Sequence, residues 1–187
     1  MKRLAVFCGS NTGIDPDYIL ACDSLSAWML KHDMELVYGG GQVGLMGAIA
    51  DGVLKGGGKV IGVIPEKLAK KEIAHEGVTE LIVVKTMHER KAKMAELADA
   101  FLALPGGIGT LEEITEVFTW ALLGYHHKPC ALLNTNGFYE PLNGFLNTMV
   151  QQGFLKQSAK DYLLIGSDVD TLMEKIMQQK APATLKI

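Results

Sequence analysis

The pattern that most narrows what this chain can fold into is an alternation. Short, nearly continuous apolar runs at residues 4–8, 35–38, 59–64, 80–84, 100–104, 130–133 and 162–165 are separated by helical periodicity at 15–31, 45–55, 87–97, 110–123, 141–152 and 168–178. Apolar runs without polar alternation describe strands covered on both faces, which is the habit of parallel pairing. A strand followed by a helix, repeated, predicts an α/β chain with a doubly wound Rossmann-like fold, its mostly parallel central sheet flanked by helices. No linker, internal repeat or low-complexity segment interrupts the pattern, so residues 1–187 read as a single domain.

In such sheets ligands bind beyond the carboxyl ends of the strands. Three loops placed there are rich in glycine or polar residues: Gly9-Ser10-Asn11-Thr12-Gly13, the stretch from Gly39 to Gly47, and Pro105-Gly106-Gly107-Ile108-Gly109-Thr110. In the third, glycines between a strand and a helix allow a tight turn and close approach, and the helix start offers free N–H groups and a positive dipole end. A phosphate is the ligand this arrangement favours, with Thr110 as a further donor. The Gly-Lys-Ser/Thr ending of a nucleoside-triphosphatase loop is absent, which argues against ATP or GTP hydrolysis.

Two glutamates follow at once. Thr110-x-x-Glu113 has the spacing of a capping box, and acidic residues in a first turn are favourable in themselves. A phosphate at the same helix end would nevertheless be repelled by Glu112 and Glu113 unless a cation stood nearby. Met87-His88-Glu89-Arg90-Lys91 supplies one, with Arg90 as a bidentate fork and Lys91 as a point charge. The residues thus describe a phosphate cradle with an Arg–Glu pair beside it.

Other classes recede. A formal charge of −3 without a dense Lys/Arg tract argues against a nucleic-acid partner, so the phosphate belongs to a small molecule. Cys8, Cys22 and Cys130 are too few and too scattered for a disulfide framework or a thiolate zinc site, and read as buried reduced thiols. The five histidines form no ligand pair, and no metal is expected. The first apolar run ends at Gly9-Ser10-Asn11 and no run has membrane length, so the expectation is a cytoplasmic protein without a membrane partner. Gly39-x-Gly41-x-x-Gly44 with Glu66 downstream spells a dinucleotide fingerprint, yet it follows the second strand and Pro65 intervenes. A nicotinamide oxidoreductase therefore ranks below a mononucleotide site. Residues 66–76 read as a surface loop or short helix at the rim, and Met46 and Trp120 as core or subunit-interface residues.

Taken together, Phe7-Cys8-Gly9-Ser10, Tyr38-Gly39-Gly40-Gly41-x-x-Gly44-Leu45-Met46-Gly47, Met87-x-x-Arg90-Lys91 and Pro105-Gly106-Gly107-x-Gly109-Thr110-x-x-Glu113 resemble the LONELY GUY family, in the right order through essentially the whole chain. Its members are cytokinin-activating nucleoside 5′-monophosphate phosphoribohydrolases, often mislabelled lysine decarboxylases. The resemblance implies a Rossmann-like homodimer that needs no cofactor and cleaves the N-glycosidic bond of a nucleotide to a free base and ribose 5-phosphate. It places the catalytic arginine on Arg90 and the catalytic glutamate on Glu113, with Lys91, Gly107, Ile108, Gly109, Thr110, Leu111, Glu112 and Thr119 in the substrate-binding segments. Gly9, Ser10, Gly40, Gly41, Gly44, Met46, Gly106 and Glu116 complete the candidate set, and Glu66 or Glu72 fills a further substrate contact.

In the mechanism these residues support, Glu113 stabilises the oxocarbenium charge that develops at the sugar while Arg90 holds the nucleotide and the glycine loop grips its 5′-phosphate. The helix bearing Phe118, Trp120, Leu122 and Leu123 is a candidate dimer interface, by a pattern that suits a core-facing helix equally. A non-catalytic carrier of a nucleotide or of molybdenum cofactor is the alternative reading of the same loops. For pyridoxal chemistry, nothing in the sequence singles out a Schiff-base lysine.

Overall fold

In the computed structural model, which describes residues 1–69 and 74–179, the strands are β1 (Arg3–Phe7), β2 (Glu35–Tyr38), β3 (Val60–Pro65), β4 (Glu80–Val84), β5 (Ala100–Ala103), β6 (Cys130–Leu133) and β7 (Leu163–Gly166). They form one seven-stranded sheet in the order β4-β3-β2-β1-β5-β6-β7, and every neighbouring pair is parallel. The helices are α1 (Asp17–Lys31), α2 (Gly44–Lys55), α3 (Glu66–Ala69), α4 (Met87–Leu97), α5 (Ile108–Leu122), α6 (Glu140–Gln151), α7 (Gln157–Tyr162) and α8 (Val169–Gln178).

The apolar runs are continuous because both faces of the sheet are covered. Leu4 and Val6 of β1 pack with residues of α1, α2 and α8, whereas Ala5 and Phe7 of the same strand pack with residues of α4, α5 and α6. Successive side chains of a strand point to opposite faces, so a strand between two helical layers has no position left for a polar residue. The expectation of a doubly wound, mostly parallel sheet is met, and the described sheet is parallel throughout. All three cysteines are free and buried. No helix among the described residues is long and apolar enough to cross a membrane. The short helices α3 and α7 escape the periodic pattern because four and six residues are too few to show one.

Strand β1 lies between β2 and β5, so the chain winds outward from it in both directions and the loops after β1 and β5 face one another across the topological switch point. Hydrogen bonds fasten them there. Leu104 N–H donates to the Phe7 carbonyl at 2.9 Å, Gly9 N–H to the Pro105 carbonyl at 3.1 Å, and Tyr139 Oη to the Leu104 carbonyl at 2.7 Å.

The loop after β2 joins this junction through Gly44, whose φ of 64° lies in the left-handed region. A Cβ at Gly44 would come within 2.3 Å of the Ser10 carbonyl carbon. Replacement by alanine would combine backbone strain with a collision against main chain that has no room to give. Gly44→Ala should therefore lower the unfolding free energy by at least about 2 kcal/mol, read by urea titration. Unchanged stability would mean that the β1 and β2 loops do not pack in this way.

Candidate active site

Helices α2 and α5 both begin at the switch point after a glycine-rich turn, but their N-terminal amides differ. Leu45 N–H and Met46 N–H both donate to the Gly9 carbonyl, at 3.0 and 3.3 Å. The start of α2 is thereby satisfied within the protein, and the Gly39-x-Gly41-x-x-Gly44 resemblance to a dinucleotide loop marks packing. Gly40 lies against Ile64 and Leu81, and its carbonyl accepts from His75 N–H at 3.0 Å. Gly41 bridges to Ala74. At α5 the first intrahelical bond runs from Leu111 N–H to the Gly107 carbonyl at 3.2 Å, and no side chain caps the helix. No backbone acceptor among the described residues reaches the N–H groups of Ile108, Gly109 and Thr110. The open helix end is that of α5.

The position of this end revises the capping-box reading. Gly107 is the N-cap, so Thr110 is the third helical residue and is buried at 4% exposure, its Oγ1 only 2.1 Å from where a Cβ on Gly106 would fall. Glu113 then stands one turn into the helix on the cavity side, no longer the partner of a capping hydroxyl. A Cβ at Gly107 or Gly109 would meet nothing within 4 Å, and neither residue has a positive φ. Nothing inside the described fold requires glycine at either position.

Arg90 reaches the same place from α4. Thr86 caps that helix by accepting from Glu89 N–H at 3.1 Å, while Glu89 accepts from Lys85 N–H at 2.8 Å, so the helix start is fixed from both sides. The face bearing Arg90, Lys91 and Met94 is turned inward. Arg90 is 6% exposed and its guanidinium donates through Nη2 to the Gly39 carbonyl at 3.1 Å. It can do so because a Cβ at Gly39 would sit 1.9 Å from Nη2. Arg90 Nε is buried without a partner among the described residues.

Lys91 does something else. Its Nζ donates to Glu112 Oε1 at 2.5 Å and to Glu116 Oε1 at 3.0 Å, and the side chain is nearly buried. Burial works to lower its pKa and is outweighed by the hydrogen bonds and charges of Glu112 and Glu116, which leave it raised. The ammonium is therefore a clamp between α4 and α5, one residue beyond Arg90 on the first helix and one residue before Glu113 on the second. The expected point charge of Lys91 thus lies against the carboxylates of Glu112 and Glu116.

A cavity of about 380 Å³ opens at this junction, lined by Cys8, Gly9, Ser10, Met46, Leu68, Met87, Arg90, Gly107, Ile108, Gly109, Thr110, Glu112 and Glu113. Burial pushes the Cys8 thiol well up, Cys22 and Glu113 push it further, and Arg90 only partly opposes them, so the thiol stays protonated and is no nucleophile. Among the remaining sequence candidates, Gly40, Gly41, Gly44, Lys91, Leu111, Glu116 and Thr119 do not line this cavity, and Gly106 lines a neighbouring one. Thr119 Oγ1 is spent on the Thr115 carbonyl at 2.7 Å. Glu66 is exposed at the start of α3 and does not line the cavity either, and Glu72 lies outside the described residues. Leu68 was not legible as a site residue, since an isolated leucine in a charged segment carries no periodic signal.

A family model described as "possible lysine decarboxylase" matches residues 46–176. A probable cytokinin riboside 5′-monophosphate phosphoribohydrolase of Oryza sativa subsp. japonica is 47% identical over 175 residues, 94% of this chain and 72% of that protein. Cytokinin riboside 5′-monophosphate phosphoribohydrolases of Arabidopsis thaliana and Rhodococcoides fascians are 44% and 46% identical over 97% and 90% of this chain, covering 84% and 86% of their own lengths. Among solved structures, the molybdenum cofactor carrier protein of Chlamydomonas reinhardtii superposes with a TM-score of 0.70 at 20% identity, over 95% of this chain and 96% of that one. The molybdenum cofactor binding protein of Rippkaea orientalis gives 0.69 at 23%, over 94% and 95%. At such identities the structural likeness speaks for the fold alone.

The clamp makes its own prediction. Lys91→Met would leave Glu112 and Glu116 facing each other without their cation, and should cost about 2 kcal/mol of stability, less than a wholly buried pair because Glu112 is half exposed. Thermal unfolding at two ionic strengths reads it: the loss should shrink as salt screens the two carboxylates. A variant as stable as the parent at low salt would remove the clamp.

Proposed function

We propose, since the chain belongs to the LONELY GUY family of cytokinin riboside 5′-monophosphate phosphoribohydrolases, that it hydrolyses the N-glycosidic bond of a nucleoside 5′-monophosphate, releasing the base and ribose 5-phosphate. The observation that carries the proposal is the convergence of Arg90, Glu113 and the open amides of α5 on one cavity. The phosphate takes the N–H groups of Ile108, Gly109 and Thr110, helped by the helix dipole, and the glycines at 107 and 109 leave it room. Glu113 follows Thr110 by three residues, about 5 Å along the helix axis, a step comparable with the span of a ribose.

The chemistry follows from that spacing. As the bond between C1′ and the base nitrogen breaks, positive charge gathers on the sugar, and a fixed carboxylate stabilises it. Water supplies hydroxide to C1′ and its proton goes to the departing base, so the products carry all the atoms of nucleotide and water. Arg90, which lines the cavity, binds oxygens of the nucleotide through its guanidinium. Met46, Leu68 and Met87 line the apolar remainder of the cavity, which suits adenine and adenine carrying an isoprenoid substituent. The functional unit is a homodimer in this reading. Of the four apolar residues considered for the interface, Phe118 and Leu122 are core residues, which leaves the partly buried Trp120 and the exposed Leu123 at the end of α5.

A lysine decarboxylase would bind pyridoxal phosphate as an imine on a lysine. No lysine lines the cavity among the described residues, and Lys91 is held by two glutamates, so the residues present do not fit that group. A carrier would use the glycine loops equally well but gives no role to a carboxylate beside a phosphate site.

The test is an assay of free base and ribose 5-phosphate from AMP, from isoprenylated adenine nucleotides and from the other monophosphates. Glu113→Gln should keep nucleotide affinity and lose about 10²–10³-fold in kcat, whereas Arg90→Ala should damage both kcat and KM. A Glu113→Gln variant with near-native turnover would remove the catalytic assignment, and release from no nucleotide would end the hydrolase reading.

A further inference from the structure

A second cavity, of about 230 Å³, opens onto the same two loops from the other side of the Gly106–Gly107 turn. It shares Gly9, Ser10 and Gly107 with the Arg90–Glu113 cavity and no other residue. The remaining wall is made by residues 11–13, Leu45, Pro105 and two aromatic rings, Tyr18 from α1 and Phe138 from the segment before α6. No charged side chain lines it among the described residues. The rings meet edge to face with centroids 5.8 Å apart, and Phe138 remains 38% exposed. A hydrolase acting on a nucleoside monophosphate has no use for this space. With the phosphate on the α5 amides and C1′ at Glu113, the base occupies the end near Met46 and Met87, and the second cavity lies beyond the phosphate.

We propose that this second cavity is a subsite for a planar ring attached through the phosphate, so that the chain also binds pyrophosphate-linked nucleotides, with the hydrolysed nucleoside in the first cavity and the ring in the second. The inference rests on the phosphate position given above. Three features select this ligand class. The divider between the cavities, the Gly106–Gly107 turn, leads directly into the amides of Ile108, Gly109 and Thr110 that hold the phosphate, so a ligand filling both must carry its phosphates in the middle. The far wall is aromatic and uncharged, which suits a stacked ring and offers nothing to a further free phosphate. The near wall at Ser10, Asn11 and Thr12 carries hydroxyl and amide groups that can meet the hydroxyls of a linking sugar. The volume is below that of a site for a whole drug-sized ligand and matches one ring system. No bond is broken other than the one already assigned, between C1′ and the base in the first cavity.

The experiment compares AMP, ADP and di(adenosine-5′) diphosphate as ligands of the full chain by calorimetry, and as substrates by base release. ADP adds charge without a ring, so it separates the two contributions. The dinucleotide should bind at least about tenfold more tightly than ADP, the size of one base stacked on aromatic side chains, and should compete with AMP. Tyr18→Ala and Phe138→Ala should each remove most of that advantage and leave the affinity and turnover of AMP unchanged. Equal affinity for ADP and the dinucleotide, an advantage that survives both substitutions, or simultaneous binding of dinucleotide and AMP would each overturn the subsite. Because AMP hydrolysis is measured in the same series, failure of the subsite with AMP turnover intact is distinct from failure of the hydrolase reading itself.

Discussion

The carbonyl of Gly9 accepts from the N–H groups of both Leu45 and Met46, and the difference between the two glycine loops of this protein follows from that contact. Two helix ends point at the switch point of a parallel sheet, and each carries the partial positive charge that attracts an anion. One is neutralised by the chain itself. What remains is a single open end at α5, and the rest of the site is arranged around it: Arg90 laid against the end of β2, Glu113 one turn along α5, and an apolar floor of Met46 and Met87. A phosphate bound at α5 meets no backbone competitor among the described residues for the amides of Ile108, Gly109 and Thr110.

The Lys91 clamp solves a second problem. Three glutamates within the first nine residues of α5 would make that helix a poor place for a phosphate, since each carboxylate repels it. Lys91 holds Glu112 and Glu116 together and neutralises part of that charge. The same contacts tie α4 to α5 at the residues adjacent to Arg90 and Glu113. A single buried ammonium thereby sets the spacing of the two groups on which turnover depends in the mechanism proposed here.

Much of this was legible in the residues and some was not, for physical reasons. The inner strands could be read because double-sided burial disfavours polar residues within them, and the strand boundaries moved by no more than one position, as β1 ending at Phe7 illustrates. The glycine turn before α5 was legible as a tight strand-to-helix turn, because glycines at such a junction allow close approach of the backbone. The fate of Gly39 to Gly44 was not, because a glycine that admits a ligand and a glycine that admits a neighbouring loop look alike until the neighbour, here Ser10, is in place. Lys91 could not be separated from Arg90 by pattern, since its partners lie 21 and 25 residues away on another helix. Tyr18 and Phe138 carry no joint signal for the same reason, as rings distant in sequence that meet only when α1 packs beside the segment preceding α6.

The central claim is a division of labour along one helix, with phosphate on the first amides of α5 and the sugar at Glu113. The most direct measurement is a crystal structure of the Glu113→Gln protein with AMP. The account predicts phosphate oxygens within hydrogen-bond distance of the N–H groups of Ile108, Gly109 and Thr110, and C1′ facing the side chain at position 113. A phosphate seated at the start of α2, or a sugar turned away from position 113, would contradict it.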